Sequence, residues 1–117
     1  MSTETINYLL DKVHALGVVS AKGMFGGHGL FVNGLMFSIV ADDVIYLKAD
    51  EQSAGIYENA DCQRFTYMKK GKPIYLNYYQ APDSSLDDPL ELHHWATIAV
   101  ASSERENVKK MAKKPRK

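Results

Sequence analysis

One cysteine, one tryptophan, four prolines and no net formal charge set the first limits on this chain of 117 residues. A lone thiol, Cys62, excludes an intramolecular disulfide and any all-cysteine metal site. No apolar run approaches the roughly 20 residues that a membrane-spanning helix needs. The first residues, MSTETINYLL, hold neither a basic leader nor a cleavable apolar segment, which predicts a cytoplasmic chain. What is present is ordinary for one globular domain: 45% hydrophobic and 24% charged residues.

The zero net charge conceals an asymmetry. Residues 1–103 carry twelve acidic and seven basic side chains, whereas residues 104–117 carry two acidic and seven basic. The reading is an acidic body over 1–103 and a basic, disordered tail over 104–117, because blocks of like charge resist compaction. The functional alternative for the tail is an arm for nucleic acid, with Lys109, Lys110, Lys113, Lys114, Arg116 and Lys117 as its contacts.

Periodicity divides the body into helix, sheet, helix, hairpin and helix. Ile6, Leu9, Leu10 and Val13 recur at helical spacing, with Ser2 or Thr3 before them and Gly17 as the stop. Asn33-Gly34 is a strong hairpin signal, since both residues tolerate the positive φ of a two-residue turn. It predicts pairing of GLFV with LMFSIVA and places Leu30, Val32, Leu35, Phe37 and Ile39 on one face. A turn at Asp42-Asp43 leads into VIYLKA, and Asp50 is expected to cap a short helix running to about Ala60. RFTYM and IYLNYY form a second hairpin across KKGKP. Asp88-Pro89-Leu90-Glu91 starts the last helix, which should bury Leu92, Trp95, Ala96 and Ala99. The class is α+β in two layers: helices on a mostly antiparallel sheet, in the order α, three or four strands, α, two strands, α.

Five of the eight glycines fall within the sixteen residues from Lys22 to Phe37. A dinucleotide fingerprint fails there, because Val32 stands where the third glycine should follow Gly27 and Gly29. A phosphate loop fails too: Gly29 and Gly34 have the spacing, but Leu35-Met36 replace the lysine and hydroxyl. Both motifs must open a helix, and this segment runs into a hairpin. Gly26, Gly27 and Gly29 therefore predict a bulge or sharp bend, or a place where another backbone or side chain comes close.

No catalytic constellation emerges. His14 sits beside the first helix's apolar stripe as a partly exposed filler. His93 and His94 are neighbours on a helix, project about 100° apart and do not share a metal. His28, among the glycines, is the best single proton-transfer candidate, and a small-ligand or enzymatic role at the bend is the third-ranked reading. Cys62 reads as a structural thiol, and Asp42-Asp43 and Asp87-Asp88 as turn and cap residues. No cofactor and no enzyme activity are expected. Tyr67, Tyr75, Tyr78 and Tyr79 cluster on the second hairpin, where they could stack bases or face a partner, while Lys69, Lys70 and Lys72 are confined to its turn. LMFSIV and VIYLKA are apolar on both faces, which predicts a homodimer partner covering one of them.

The segments KGMFGGHGLFVNGLMFSIVADDVIYLKAD, FTY, YLNYYQAP and LDDPLELHHWATIA resemble the N-terminal domain of the TfoX (Sxy) family of competence regulators, over roughly Ile6 to Ala101. The most specific part is Met24-Phe25-Gly26-Gly27 with Gly29, the Gly34 turn and Tyr46-Leu47-Lys48. The resemblance implies a domain similar to the secretion-chaperone-like fold. It implies a bacterial transcriptional coactivator working with a cyclic-AMP receptor type activator in competence or DNA uptake. Full-length members carry a second, helical C-terminal domain, in whose place this chain is expected to have only its basic tail. Lys22, Met24, Phe25, Gly26, Gly27, His28, Gly29, Tyr46 and Lys48 are the candidate interaction residues. The expected function is a non-enzymatic regulatory module that contacts a protein partner.

Overall fold

The computed structural model of the protein describes residues 3–24 and 27–113. Along the chain come α1 (Thr3–Val13), a 3-10 turn (His14–Leu16), β1 (Val19–Met24), β2 (Gly27–Val32), β3 (Leu35–Ala41) and β4 (Val44–Lys48). Then follow α2 (Ala54–Asn59), β5 (Arg64–Lys69), β6 (Lys72–Gln80), a second 3-10 turn (Asp83–Leu86) and α3 (Pro89–Lys113). All strand pairs are antiparallel and form one open sheet in the order β1-β2-β3-β4-β6-β5. This is the α+β class read from the sequence, and β6 joins the second hairpin to the first by pairing with β4.

Three two-residue turns set the register. Asn33-Gly34, Asp42-Asp43 and Lys70-Gly71 all have positive φ at both positions, between 52° and 81°. That is the backbone of turns whose twist matches a right-handed strand pair. The loop read as KKGKP thus shrinks to Lys70-Gly71, with Lys69 and Lys72 facing each other as the last pair of the ladder.

One face assignment needs correcting. A bulge between Leu30 and Phe31 pairs Leu30 with Ser38 and Phe31 with Met36, leaving Phe37 as the extra residue. An inserted residue reverses the alternation beyond it. Phe37 and Val40 join Leu30 and Val32 in the core cluster, whereas Ile39, also fully buried, lies outside that cluster. Ser38 takes the position on the core face and satisfies its hydroxyl by donating to the Tyr46 carbonyl at 2.7 Å.

The core forms between this face and the helices. Ile6, Leu9 and Val13 come from α1, Leu92, Trp95, Ala96, Ala99 and Val100 from α3, and Tyr57 from α2. Tyr57 stacks on Tyr79 at 5.2 Å and meets Trp95 at 5.3 Å, and its hydroxyl donates to the Lys48 carbonyl at 3.1 Å. The start of α3 follows its sequence signal, since Asp88 Oδ1 accepts from the amides of Leu90 (3.0 Å) and Glu91 (3.3 Å). Glu91 does not close a capping box; its carboxylate accepts from Ser84 and from the Trp95 indole.

Asp50 is not the cap of α2, which begins four residues later with Ser53 in the capping position. Its Oδ1 instead accepts from the amides of Gln52 and Ser53, organising the turn before the helix. A second departure is larger. Helix α3 passes through Ser103 and runs on to Lys113, so residues 104–113 are helical and not a loose tail. Charge repulsion along them is offset by acidic partners on the body, which a count of charges along the chain does not see.

The glycine-rich segment is explained at Gly27 by space. A Cβ there would collide with the Val40 carbonyl oxygen and approach Ala41 Cα to 3.0 Å. Gly27→Val is expected to cost about 1–2 kcal/mol through overpacking, read as a lower urea midpoint; an unchanged midpoint would remove this account. Gly26 lies outside the described residues.

Candidate functional site

The strand register gathers several of the candidate residues. Lys22 pairs with Gly29, Gly29 with Ile39, Ile39 with Tyr46 and Tyr46 with Gln80. These five form one row across five strands, and side chains in one row share a face. The neighbouring row, Ala21-Leu30-Ser38-Leu47-Tyr79, points to the helices, so the Lys22–Tyr46 row faces away from them. Tyr46 is half-buried with its ring 4.6 Å from Phe65, and Phe65 lies edge-on to Tyr67 at 6.5 Å. Lys22 is exposed at one end of this face, and a band of aromatics lies at the other. Ile39, between them, is fully buried within the single chain.

His28 stands one row away, opposite Gly23 and Val40, on the core face. It is half-buried, and its Nδ1 is buried without a hydrogen-bond partner among the described residues. Met24 pairs with Gly27 through its backbone. Phe25 and Gly26 lie outside the described residues, as does the side chain of Met24.

Lys48 belongs to a different grouping. It is only 9% exposed, lies 5.0 Å from the centre of the Tyr78 ring and pairs with Glu106 of α3 at 2.7 Å. Burial first, and then Glu106, raise the Tyr78 hydroxyl above its ordinary range. Two more ion pairs accompany it. Arg105 holds Asp50 through both nitrogens, at 2.6 and 2.9 Å, and Lys109 meets Glu51 at 2.7 Å. The Arg105 guanidinium is the main reason that the Asp50 carboxyl is lowered to about 2. Residues 48, 50 and 51 thus fasten the last turns of α3 through residues 106, 105 and 109. A cleft of about 250 Å³ lies beside this fastening, between the Gly34–Met36 turn, Tyr78 and Asn107.

These ion pairs were missed in the sequence. Their signal was present, because charges at 48, 50 and 51 complement charges at 106, 105 and 109. Nothing local shows that the two groups meet. Of the proposed nucleic-acid tail, Lys109 is paired with Glu51, and Lys110 lies 3.8 Å from Glu106. Lys113 ends the helix, and Lys114, Arg116 and Lys117 lie outside the described residues.

The reactive groups remain dispersed. Cys62 borders an open cleft of about 510 Å³ with Asp61 and Asp83, and burial followed by Asp61 pushes its thiol up, away from the thiolate a nucleophile needs. His93 Nδ1 is 2.7 Å from the Lys12 carbonyl, bracing α3 on α1, and His94 packs edge-on to Trp95. Among the described residues no three His, Cys, Asp or Glu side chains converge on a metal position. Among the described residues no helix is long and apolar enough to cross a membrane.

An open six-stranded antiparallel sheet, helices on one face and a row of motif residues with an exposed Lys22 on the other define a compact α+β domain of the kind the quoted motifs imply. The chain belongs to the family described as the TfoX N-terminal domain, whose model matches residues 11–103. It is 30% identical over 105 residues to the DNA transformation protein TfoX1 of Aliivibrio fischeri, covering 90% of this chain and 50% of that protein. It is 35% identical over 77 residues to the protein Sxy of Escherichia coli, covering 66% of this chain and 37% of that protein. The chain therefore spans half or less of the length of these relatives.

Proposed function

We propose that this protein is a regulatory module of the competence system that acts by contacting another protein and carries out no chemistry of its own. The observation that carries the reading is family membership over residues 11–103, together with a relative named for DNA transformation. The contact surface in this proposal is the sheet face that bears Lys22, Gly29 and Tyr46, because these motif residues fall in one row although they are scattered in the sequence. The partner is a transcription activator of the cyclic-AMP receptor type, as the family resemblance implies. Residues 1–103 hold that surface, and the last turns of α3 brace the domain. A cytoplasmic location follows from a partner that works on promoters.

The test is a reporter driven by a competence promoter in cells lacking this protein. Full-length chain should restore transcription, and Lys22→Glu should lose most of it while keeping its thermal midpoint, since Lys22 is exposed. Restoration by Lys22→Glu at the full level would refute the surface. Failure of the wild-type chain to restore any transcription would refute the regulatory reading.

A further inference from the structure

The second hairpin leaves the sheet. Strand β6 pairs with β4 only at Tyr78, Tyr79 and Gln80, and beyond that the Asn77 carbonyl accepts from the Ala49 amide. Residues 72–76 and their partners on β5 continue past the last β4 pair as a two-stranded ribbon, about 17 Å long at the usual rise per residue. Its charge is one-sided. Arg64, Lys69, Lys70 and Lys72 are four of the seven basic residues before Ser103, all are exposed, and no acidic residue occurs between Asp61 and Asp83. Among the described residues none of the four is paired with a carboxylate, whereas Arg105 and Lys109 of α3 are.

We propose that the β5–β6 ribbon is a binding element for duplex DNA. Three observations favour that partner. The cations at the tip stand free of carboxylates on an otherwise acidic body, which complements a phosphate backbone. Lys69 and Lys72 face each other as a cross-strand pair; like charges in that position destabilise a hairpin unless an anion lies against them. A two-stranded ribbon also fits a major groove about 12 Å wide. Single-stranded nucleic acid fits less well, because stacking needs a platform of open rings. Tyr75 is 58% exposed, but Tyr79 on the same face is only 4% exposed, so this face offers a single open tyrosine ring and not a run of them. The proposal is independent of the protein-contact reading, since it concerns the chain alone with DNA.

The experiment is fluorescence anisotropy of a short mixed-sequence duplex with the full chain, at about 50 and about 200 mM salt. Two variants accompany it. The first combines Lys69→Gln, Lys70→Asn and Lys72→Gln; asparagine is chosen at 70 because the backbone there is left-handed. The second combines Lys109→Gln and Lys110→Gln. The wild-type chain should bind with a logarithmic salt slope of about −3, as expected for three to four phosphate contacts. The ribbon variant should bind at least tenfold more weakly, and the helix variant within about twofold of wild type, with circular dichroism confirming the fold. Should the triple change unfold the hairpin, Lys69→Gln alone should still lose severalfold, because it removes one of the opposed charges. Wild-type affinity in the ribbon variant, absence of duplex binding by the wild-type chain, a larger loss in the helix variant, or tighter binding to the single strand would each overturn the proposal.

Discussion

Trp95→Ala is expected to lower the free energy of unfolding by about 3–5 kcal/mol, a large share of the total for a domain of this size. The residue is 8% exposed, and its ring closes a stack in which Tyr57 lies between Trp95 and Tyr79. Truncation removes packing from Tyr57, which is completely buried and ties α2 to the end of β4 through the Lys48 carbonyl. The neighbouring His94 is exposed, so His94→Ala should cost no more than about 0.5 kcal/mol. Urea unfolding of both variants measures the difference. Equal losses would mean that the buried face of α3 has been assigned wrongly.

Asp50→Ala should be the next most damaging change, at about 2–3 kcal/mol near neutral pH. It removes a bidentate partner of Arg105 and strips an acceptor from the amides of Gln52 and Ser53, the latter almost fully buried. The pH dependence has a definite sign. The folded carboxyl titrates at about 2, below its unfolded value near 3.8. The folded state therefore holds its proton less readily, and the contribution is present in full above the unfolded pKa. It falls away as the pH drops from about 4 to about 2. Arg105 is about one-third exposed, so solvent screens part of the pair and the charge-dependent share is closer to 1–2 kcal/mol. Wild-type and Asp50→Ala stabilities, measured from pH 7 down to the acid limit, should converge through that window. A gap that stays constant would show that the pairing with Arg105 contributes little.

The parts of the fold that were legible were those encoded locally. Asn33-Gly34, Asp42-Asp43 and Asp88-Pro89 each specify a backbone conformation by their own sterics and hydrogen bonds, and each does so in the structure. The stripe of Leu92, Trp95, Ala96 and Ala99 was legible because helical periodicity is a local property. The bulge at Phe37 was not, since a bulge is a property of two strands and leaves alternating hydrophobics on both sides. The end of α3 was hidden for a similar reason. Seven basic residues look unpackable until Asp50 and Glu51, more than fifty positions earlier, are seen to lie against Arg105 and Lys109. The candidate surface was legible as a motif but not as a shape. Lys22, Gly29 and Tyr46 become one row only through pairings among β1, β2, β3 and β4. Glycine crowding announced a close approach, and at Gly27 the neighbour proved to be the backbone of β3.

The most direct measurement of the regulatory reading is calorimetric titration of the full chain into the cyclic-AMP receptor type activator of the same organism, without DNA and with cyclic AMP present. The reading predicts saturable binding that survives the lysine changes at the ribbon tip and is weakened tenfold or more, about 1.4 kcal/mol, by Lys22→Glu. A folded chain that gives no binding heat and does not co-elute with the activator would contradict it.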